Sequence, residues 1–239
     1  MALAIFDLDE TLIAGDSCTL FCEFLIAEGF APKSFLRQDA QMMALYNSEK
    51  LVLSEYIQFL IEPLSHLSTA EIDALLPGFV ERYVVPRIYP QGLQTLADFK
   101  QQGFRPLIIS ATADFIVKAV AKQLEVSDVL AIQLVSQDDR YTGDIDGVPT
   151  FREGKVTRLK NWLIEQQESI DGAYFHSDSI NDLALLEQVE YPVAANPDRQ
   201  LQAIAKERNW PVLNWTAPTV QNSTTPTSQP FLRQEHNHV

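Results

Sequence analysis

The chain is poor in sulfur, in glycine and in basic residues: two Cys, three Met and nine Gly in 239 residues, with 18 Lys+Arg against 32 Asp+Glu. Cys18 and Cys22 can form neither a disulfide framework nor a four-ligand zinc site. Their i,i+4 spacing in an apolar run reads as two small residues on one helix face. The net charge of −14 repels nucleic acid and anionic membrane, which excludes a general phosphate-backbone binder. An anionic small substrate would need a local cation. No apolar run reaches the roughly 18 residues of a membrane helix. At the N-terminus Asp7 and Asp9 interrupt before a signal-type stretch can form. The expectation is a soluble cytoplasmic protein. With 46% hydrophobic residues a folded core is available and wholesale disorder is excluded.

Periodicity predicts an α/β order. Residues 3–6 (LAIF) form a short continuous apolar run, a buried parallel strand ending at Asp7. From Ser17 to about residue 85 only helical patterns occur, at 17–27, 32–47, 53–61 and 69–84, so this stretch reads as a helical insert. After Pro90 helices alternate with short strands: helix 92–102, strand 105–109 ending at Ser110, helix 114–124, and a strand plus small hairpin over 128–142. Helix 155–166, strand 172–175, helix 180–188, strand 191–194, helix 198–207 and a last short strand at 212–213 follow. This order implies a Rossmann-like parallel sheet with helices on both faces. The domain reading is a core of 1–14 and 88–215, a helical cap of 15–87, and a disordered or surface-draped tail of 216–239. Gly15 and the stretch near Pro86–Pro90 are candidate hinges.

Polar groups collect just past strand ends, where open α/β sheets place ligands. Asp7 and Asp9 follow the first strand; two carboxylates at i,i+2 there are costly unless a cation sits beside them. An acidic turn in which Thr11 caps the next element is the plainer account of that segment. Asp178, Ser179, Asn181 and Asp182 follow a later strand. Their oxygens suit Mg²⁺, although Asp178 or Ser179 also serves as a helix cap. Ser110 and its neighbour Ala111 lie at a strand-to-helix turn, where a hydroxyl and a backbone N–H hold a phosphate oxygen. Lys155 opens a helix and can balance both phosphate and the crowded carboxylates. Together these four strand ends point to phosphoryl transfer at a Mg²⁺ site.

The motifs DLDET at 7–11, Ser110, Lys155 and SDSIND at 177–182, in this order, resemble the haloacid dehalogenase-like hydrolase superfamily over nearly all of residues 3–213. The helical insert is similar to the cap of its phosphoserine phosphatase-like branch, and LIISATADFI resembles a branch that includes histidinol-phosphatases. The resemblance implies a phosphatase with Asp7 as nucleophile and Asp9 as acid and base. It places Mg²⁺ on Asp7, the Asp9 carbonyl and Asp178, with Asp182 orienting that shell. Thr11 and Ser110 would hold phosphoryl oxygens, Lys155 would counter the charge at Asp7, and Asn181 would reach the phosphate or the substrate edge.

Phosphoserine phosphatases pair an acid that meets the substrate ammonium with a cap arginine that meets its carboxylate. The matching positions here are Asp16 and Gln58, and an amide cannot replace a bidentate guanidinium. A small amine-bearing phosphate ester without a carboxylate is therefore expected, histidinol phosphate first, with Phe21, Tyr46 or Tyr56 to stack its ring. Phosphoserine, anchored through Arg37 or Arg82, and another small phosphomonoester stay open. So do a phosphotransferase, a lipid-phosphate enzyme and a non-catalytic binding protein. Oligomeric state is not legible.

Overall fold

The computed structural model describes residues 1–47 and 50–218; the tail expected from Thr216 lies outside that range from residue 219 on. The first strand, β1 (Leu3–Phe6), is fully buried. The insert then supplies α1 (Ser17–Ala27), α2 (Phe35–Asn47), α3 (Leu53–Ile61) and α4 (Thr69–Phe79). The return to the sheet brings α5 (Pro90–Gln101), β2 (Arg105–Ala113), α6 (Asp114–Gln123) and β3 (Asp128–Ile132), then the hairpin β4 (Leu134–Gln137) and β5 (Arg140–Ile145). Last come α7 (Glu153–Gln166), β6 (Tyr174–Ser177), α8 (Leu183–Leu186), β7 (Tyr191–Ala195), α9 (Arg199–Glu207) and β8 (Val212–Leu213).

Six strands form one sheet in the order β3-β2-β1-β6-β7-β8, every pairing parallel. The central strand β1 alternates its side chains between two cores. Leu3 and Ile5 join Leu107, Ile109, Phe175 and Leu201 on one face. Ala4 and Phe6 join Ile108, Ile116 and the apolar sides of α1, α3 and α4 on the other. Burial on both faces explains the continuous apolar reading of these strands.

The chain leaves the sheet and returns to it along one seam. Ala14 N–H donates to the Arg87 carbonyl at 2.8 Å, Tyr89 N–H donates to the Leu12 carbonyl at 3.0 Å, and Ile13 pairs with Ile88 in antiparallel fashion. The hairpin β4–β5 reaches the insert as well: Thr69 N–H donates to the Asp139 carbonyl at 2.7 Å, and Gly143 lies against Gln58 of α3. At the other end of the chain the Trp215 ring fills the gap that Gly92 leaves, beside Leu12. The Asn196 side chain accepts from Trp215 N–H at 2.7 Å and donates to the Glu10 carbonyl at 3.2 Å.

Three element readings need correction. Strand β2 does not stop at Ser110 but continues to Ala113, with a register shift against β3 that absorbs the polar residues. The single helix expected over 69–84 ends at Phe79, two residues after Pro77, and continues as a wider turn over Val80–Val84. The helix expected over 180–188 is a 3₁₀ turn, Ile180–Asp182, followed by the short α8.

Candidate active site

The ends of β1, β2 and β6 and the start of α7 meet at one cavity of about 490 Å³, lined on its far side by the insert. Lys155, in the first turn of α7, is 3% exposed and bridges two carboxylates: its Nζ donates to Asp7 Oδ1 at 2.7 Å and to Asp182 Oδ2 at 2.8 Å. Ser177 Oγ also donates to Asp182 Oδ2, at 2.7 Å. What brings Lys155 this deep is Gly154. A Cβ at that position would overlap the Pro149 carbonyl oxygen, so only glycine lets α7 start against the preceding turn.

Asp9 is fixed through both oxygens. Ser17 N–H donates to Oδ1 at 2.7 Å; Thr112 Oγ1 donates to Oδ2 at 2.8 Å, and Ser110 Oγ approaches the same oxygen at 3.4 Å. Thr112 was not among the expected site residues. Its signal was available: it stands two positions from Ser110 on one strand and so shares its face. Asp198 was also missed. It caps α9 through Gln200 and Leu201 N–H, and its Oδ2 accepts from Ile180 N–H at 2.7 Å, which ties the Asp178 loop in place.

Most of the expected residues line the cavity: Asp7, Asp9, Asp16, Ser110, Ala111, Lys155, Asp178, Asn181 and Asp182. Asn181 Oδ1 accepts from Arg152 Nε at 3.1 Å. Two are placed elsewhere. Thr11 is fully buried and its hydroxyl donates to Asp178 Oδ1 at 3.1 Å while accepting from Asp178 N–H at 3.0 Å, so its one proton holds a carboxylate rather than a phosphoryl oxygen. Gln58 is exposed and lies against Gly143, outside the cavity. On α3 it is Tyr56 that faces the site, together with Leu53; a residue two positions from Tyr56 points to the opposite side of a helix. Of the aromatic and basic residues expected at the substrate, Tyr46 and Tyr56 line the cavity. Phe21 is packed in the core against Phe79 and Phe115, and Arg82 pairs with Glu28.

Negative charge is in excess here. Among the described residues seven acidic ones line the cavity against two cationic ones, Lys155 and Arg199. Burial, assisted by the charges of Asp182 and Asp9, pushes Asp7 up to about 7 despite Lys155. Burial likewise raises Asp9 and lifts Asp178 well above the usual carboxylate range, the latter with the charges of Asp7 and Asp182. Burial opposes the charge on Lys155, but Asp182 and Asp7 outweigh it and hold the ammonium above its ordinary value. One ammonium does not neutralise this set, so a further cation fits it. Among the described residues no group of three or more His, Cys, Asp and Glu side chains is placed to hold a metal ion, so an ion here would rest on fewer side chains and on waters. The donors suit an open site whose ion keeps several waters, as Mg²⁺ does.

Residues 4–187 match the family of haloacid dehalogenase-like hydrolases. The chain belongs to that family. A histidinol-phosphatase of Neisseria meningitidis is 37% identical to it over 218 residues, 89% of this chain and 98% of that protein. A solved structure of a protein of unknown function from Bordetella pertussis superposes with a TM-score of 0.82 at 34% identity, covering 89% of this chain and 97% of the other. A phosphoserine phosphatase solved as an analogue of its phospho-aspartyl intermediate shares the fold, with a TM-score of 0.64 at 16% identity over 90% and 94% of the two chains. The chain is thus a phosphatase on a parallel α/β sheet. No helix among its described residues is long and apolar enough to cross a membrane.

Proposed function

We propose that this phosphatase is a Mg²⁺-dependent phosphomonoesterase that works through an aspartyl-phosphate on Asp7 and takes a small amine-bearing phosphate ester, histidinol phosphate first. The observation that carries the chemistry is the division of labour between the two motif carboxylates. Asp7 faces the cavity with one oxygen held by Lys155, whereas Asp9 is aimed by Ser17 and Thr112. In the first step Asp7 attacks phosphorus, an Asp7 O–P bond forms, the ester P–O bond breaks, and Asp9 gives its proton to the leaving alkoxide. In the second, Asp9 takes a proton from water, the water oxygen attacks phosphorus, and the Asp7 O–P bond breaks to release phosphate. Burial keeps Asp9 raised, which suits a group that must carry a proton and return it. Mg²⁺ held by Asp7, Asp178 and the Asp9 carbonyl would supply charge neutralisation between the nucleophile and the phosphate. Thr11 holds Asp178 directly, and Asp182 acts on Asp7 through the Lys155 ammonium they share. Ser110, Ala111 and Asn181 remain for the phosphoryl oxygens and the substrate edge.

The substrate reading rests on the Neisseria relative and on Asp16, an acid at the insert end of the cavity. Phosphoserine is the second reading, favoured by Arg199 as a lining cation that could meet a carboxylate. Phosphate release from histidinol phosphate, phosphoserine, phosphoethanolamine, sugar phosphates and nucleotides, measured with Mg²⁺ and again with excess chelator, tests both. One preferred ester at kcat/KM of about 10⁴ M⁻¹s⁻¹ or more, lost on chelation, is the expected result. Turnover that survives complete metal removal overturns the Mg²⁺ assignment.

A further inference from the structure

The insert contains a carboxylate that the mechanism does not use. Asp39, on α2, is 2% exposed. Among the described residues no cation answers it; three donors do. Thr19 Oγ1 donates to Oδ2 at 2.8 Å, Tyr56 OH donates to Oδ1 at 3.0 Å, and Cys22 Sγ lies 3.8 Å from the same oxygen. Tyr56 is the member of this group that lines the cavity. A tyrosine hydroxyl has one proton, and here it is committed to Asp39, so the Tyr56 oxygen has only lone pairs left to offer.

The neighbouring chemistry has the same sign. Asp16 lines the same cavity as Tyr56 and accepts from Thr19 N–H at 2.8 Å. Burial, the charge of Asp9 and then that of Asp39 push Asp16 up to about 8, so at neutral pH it gives up its proton only where a cation stands beside it. Among the described residues the insert contributes Asp16, Cys18, Met43, Tyr46, Leu51, Leu53 and Tyr56 to the cavity, with no Lys or Arg among them. Both lining cations belong to the core side. A second anionic group on the substrate would meet an acid, a thiol, apolar side chains and an oxygen without a proton. A protonated nitrogen would meet acceptors.

We propose that Asp39 is a positioning residue for substrate selection: it orients Tyr56 as a hydrogen-bond acceptor, so that the Asp16–Tyr56 end of the cavity selects a phosphomonoester whose far end is a nitrogen cation with N–H donors and no carboxylate. The inference rests on the phosphomonoesterase reading above and adds to it the residues that read the far end of the ester. Asp39 does not touch the substrate; it acts through the tyrosine.

The test compares phosphoethanolamine with n-propyl phosphate, in which a methyl replaces the ammonium. Steady-state kcat/KM for both esters is measured with wild type, Asp39→Asn and Tyr56→Phe. Calorimetric Kd values for both esters are measured in an Asp7→Asn background, which needs no turnover. Wild type is expected to prefer the cationic ester. Both variants are expected to reduce that preference about tenfold or more, as loss of a hydrogen bond to a charged group does. Tyr56→Phe keeps the ring and its packing, so it reports even where Asp39→Asn folds poorly. A merely structural Asp39 would weaken both esters alike and leave the ratio unchanged, and that result overturns the proposal. So does a wild type that binds n-propyl phosphate as tightly as phosphoethanolamine. Failure of the phosphomonoesterase reading looks different: no phosphate released from either ester by wild type, while the two Kd values still report whether the far end discriminates.

Discussion

In Gly154→Ala, the new methyl carbon would sit 2.0 Å from the Pro149 carbonyl oxygen and 3.2 Å from its carbon. Even a close C–H···O contact needs about 3.3 Å, so the turn and the start of α7 must part by about 1.3 Å. No rotamer relieves this, because the obstacle is backbone. The turn is also tied down: Thr150 Oγ1 donates to the Ser110 carbonyl at 2.5 Å, and Gly154 N–H donates to the Phe151 carbonyl at 2.9 Å. The displacement therefore passes to the next residue, Lys155, whose bonds to Asp7 and Asp182 are 2.7 and 2.8 Å long. A shift of about 1 Å at such a group costs about a hundredfold in kcat. Overpacking of this kind destabilises by about 1–3 kcal/mol, whereas alanine's helical preference over glycine would stabilise by about 1 kcal/mol. The two effects have opposite signs, which makes the experiment decisive. Thermal melting and phosphate release on the preferred ester should both show loss. A variant with a raised Tm and wild-type kcat would refute the close-approach account of how Lys155 is placed.

Asp7→Asn keeps the size of the side chain and should bring phosphate release below about a thousandth of wild type while the far-UV circular dichroism stays the same; appreciable turnover sinks the nucleophile assignment. Gln58→Arg should shift KM for phosphoserine and for histidinol phosphate by less than about twofold, since Gln58 faces β5 and not the cavity; a marked gain for phosphoserine would return it to the site. His176 is buried against Phe6, and burial holds it down at about 4 against an ordinary 6.5. The unfolded chain then takes up this proton first as pH falls, so stability is complete above pH 6.5 and is lost on the way to pH 4. This amounts to about 3 kcal/mol. Unfolding free energies from urea titrations of wild type and His176→Phe should diverge by that amount between pH 7 and pH 4, and parallel profiles would show that His176 is not the acid-sensitive group.

The sheet and its site end were legible because both depend on local chemistry. A strand covered on both faces must be apolar throughout, as LAIF and LII are, and the first carboxylate after such a run marks where the ligand sits. Asp7, Asp9, Lys155, Asp178 and Asp182 carry charge where burial would otherwise forbid it, so the sequence alone singles them out. The insert is different. Which face of α3 looks into the cavity depends on how that helix is rotated against β5. An ungapped match to a family segment carries no information about that rotation, and Gln58 was misplaced for this reason. Asp39 is silent in the sequence because its partners, Thr19, Cys22 and Tyr56, are gathered from α1 and α3 by packing alone. The phosphate role of Thr11 is what the family resemblance implies; the loop turns its hydroxyl toward Asp178, 167 residues away along the chain.

The seat of Trp215 has a practical consequence. Its indole rests beside Leu12, inside the segment that carries the motif acids, and its backbone is linked through Asn196 to the carbonyl of Glu10. The other two tryptophans, Trp162 and Trp210, pack on the opposite face of the sheet. An optical signal that changes when the first loop moves is therefore built into the chain, and Trp215→Phe removes it while Trp162 and Trp210 serve as internal standards. Stopped-flow fluorescence can follow ligand arrival at Asp7 and Asp9 without an added dye.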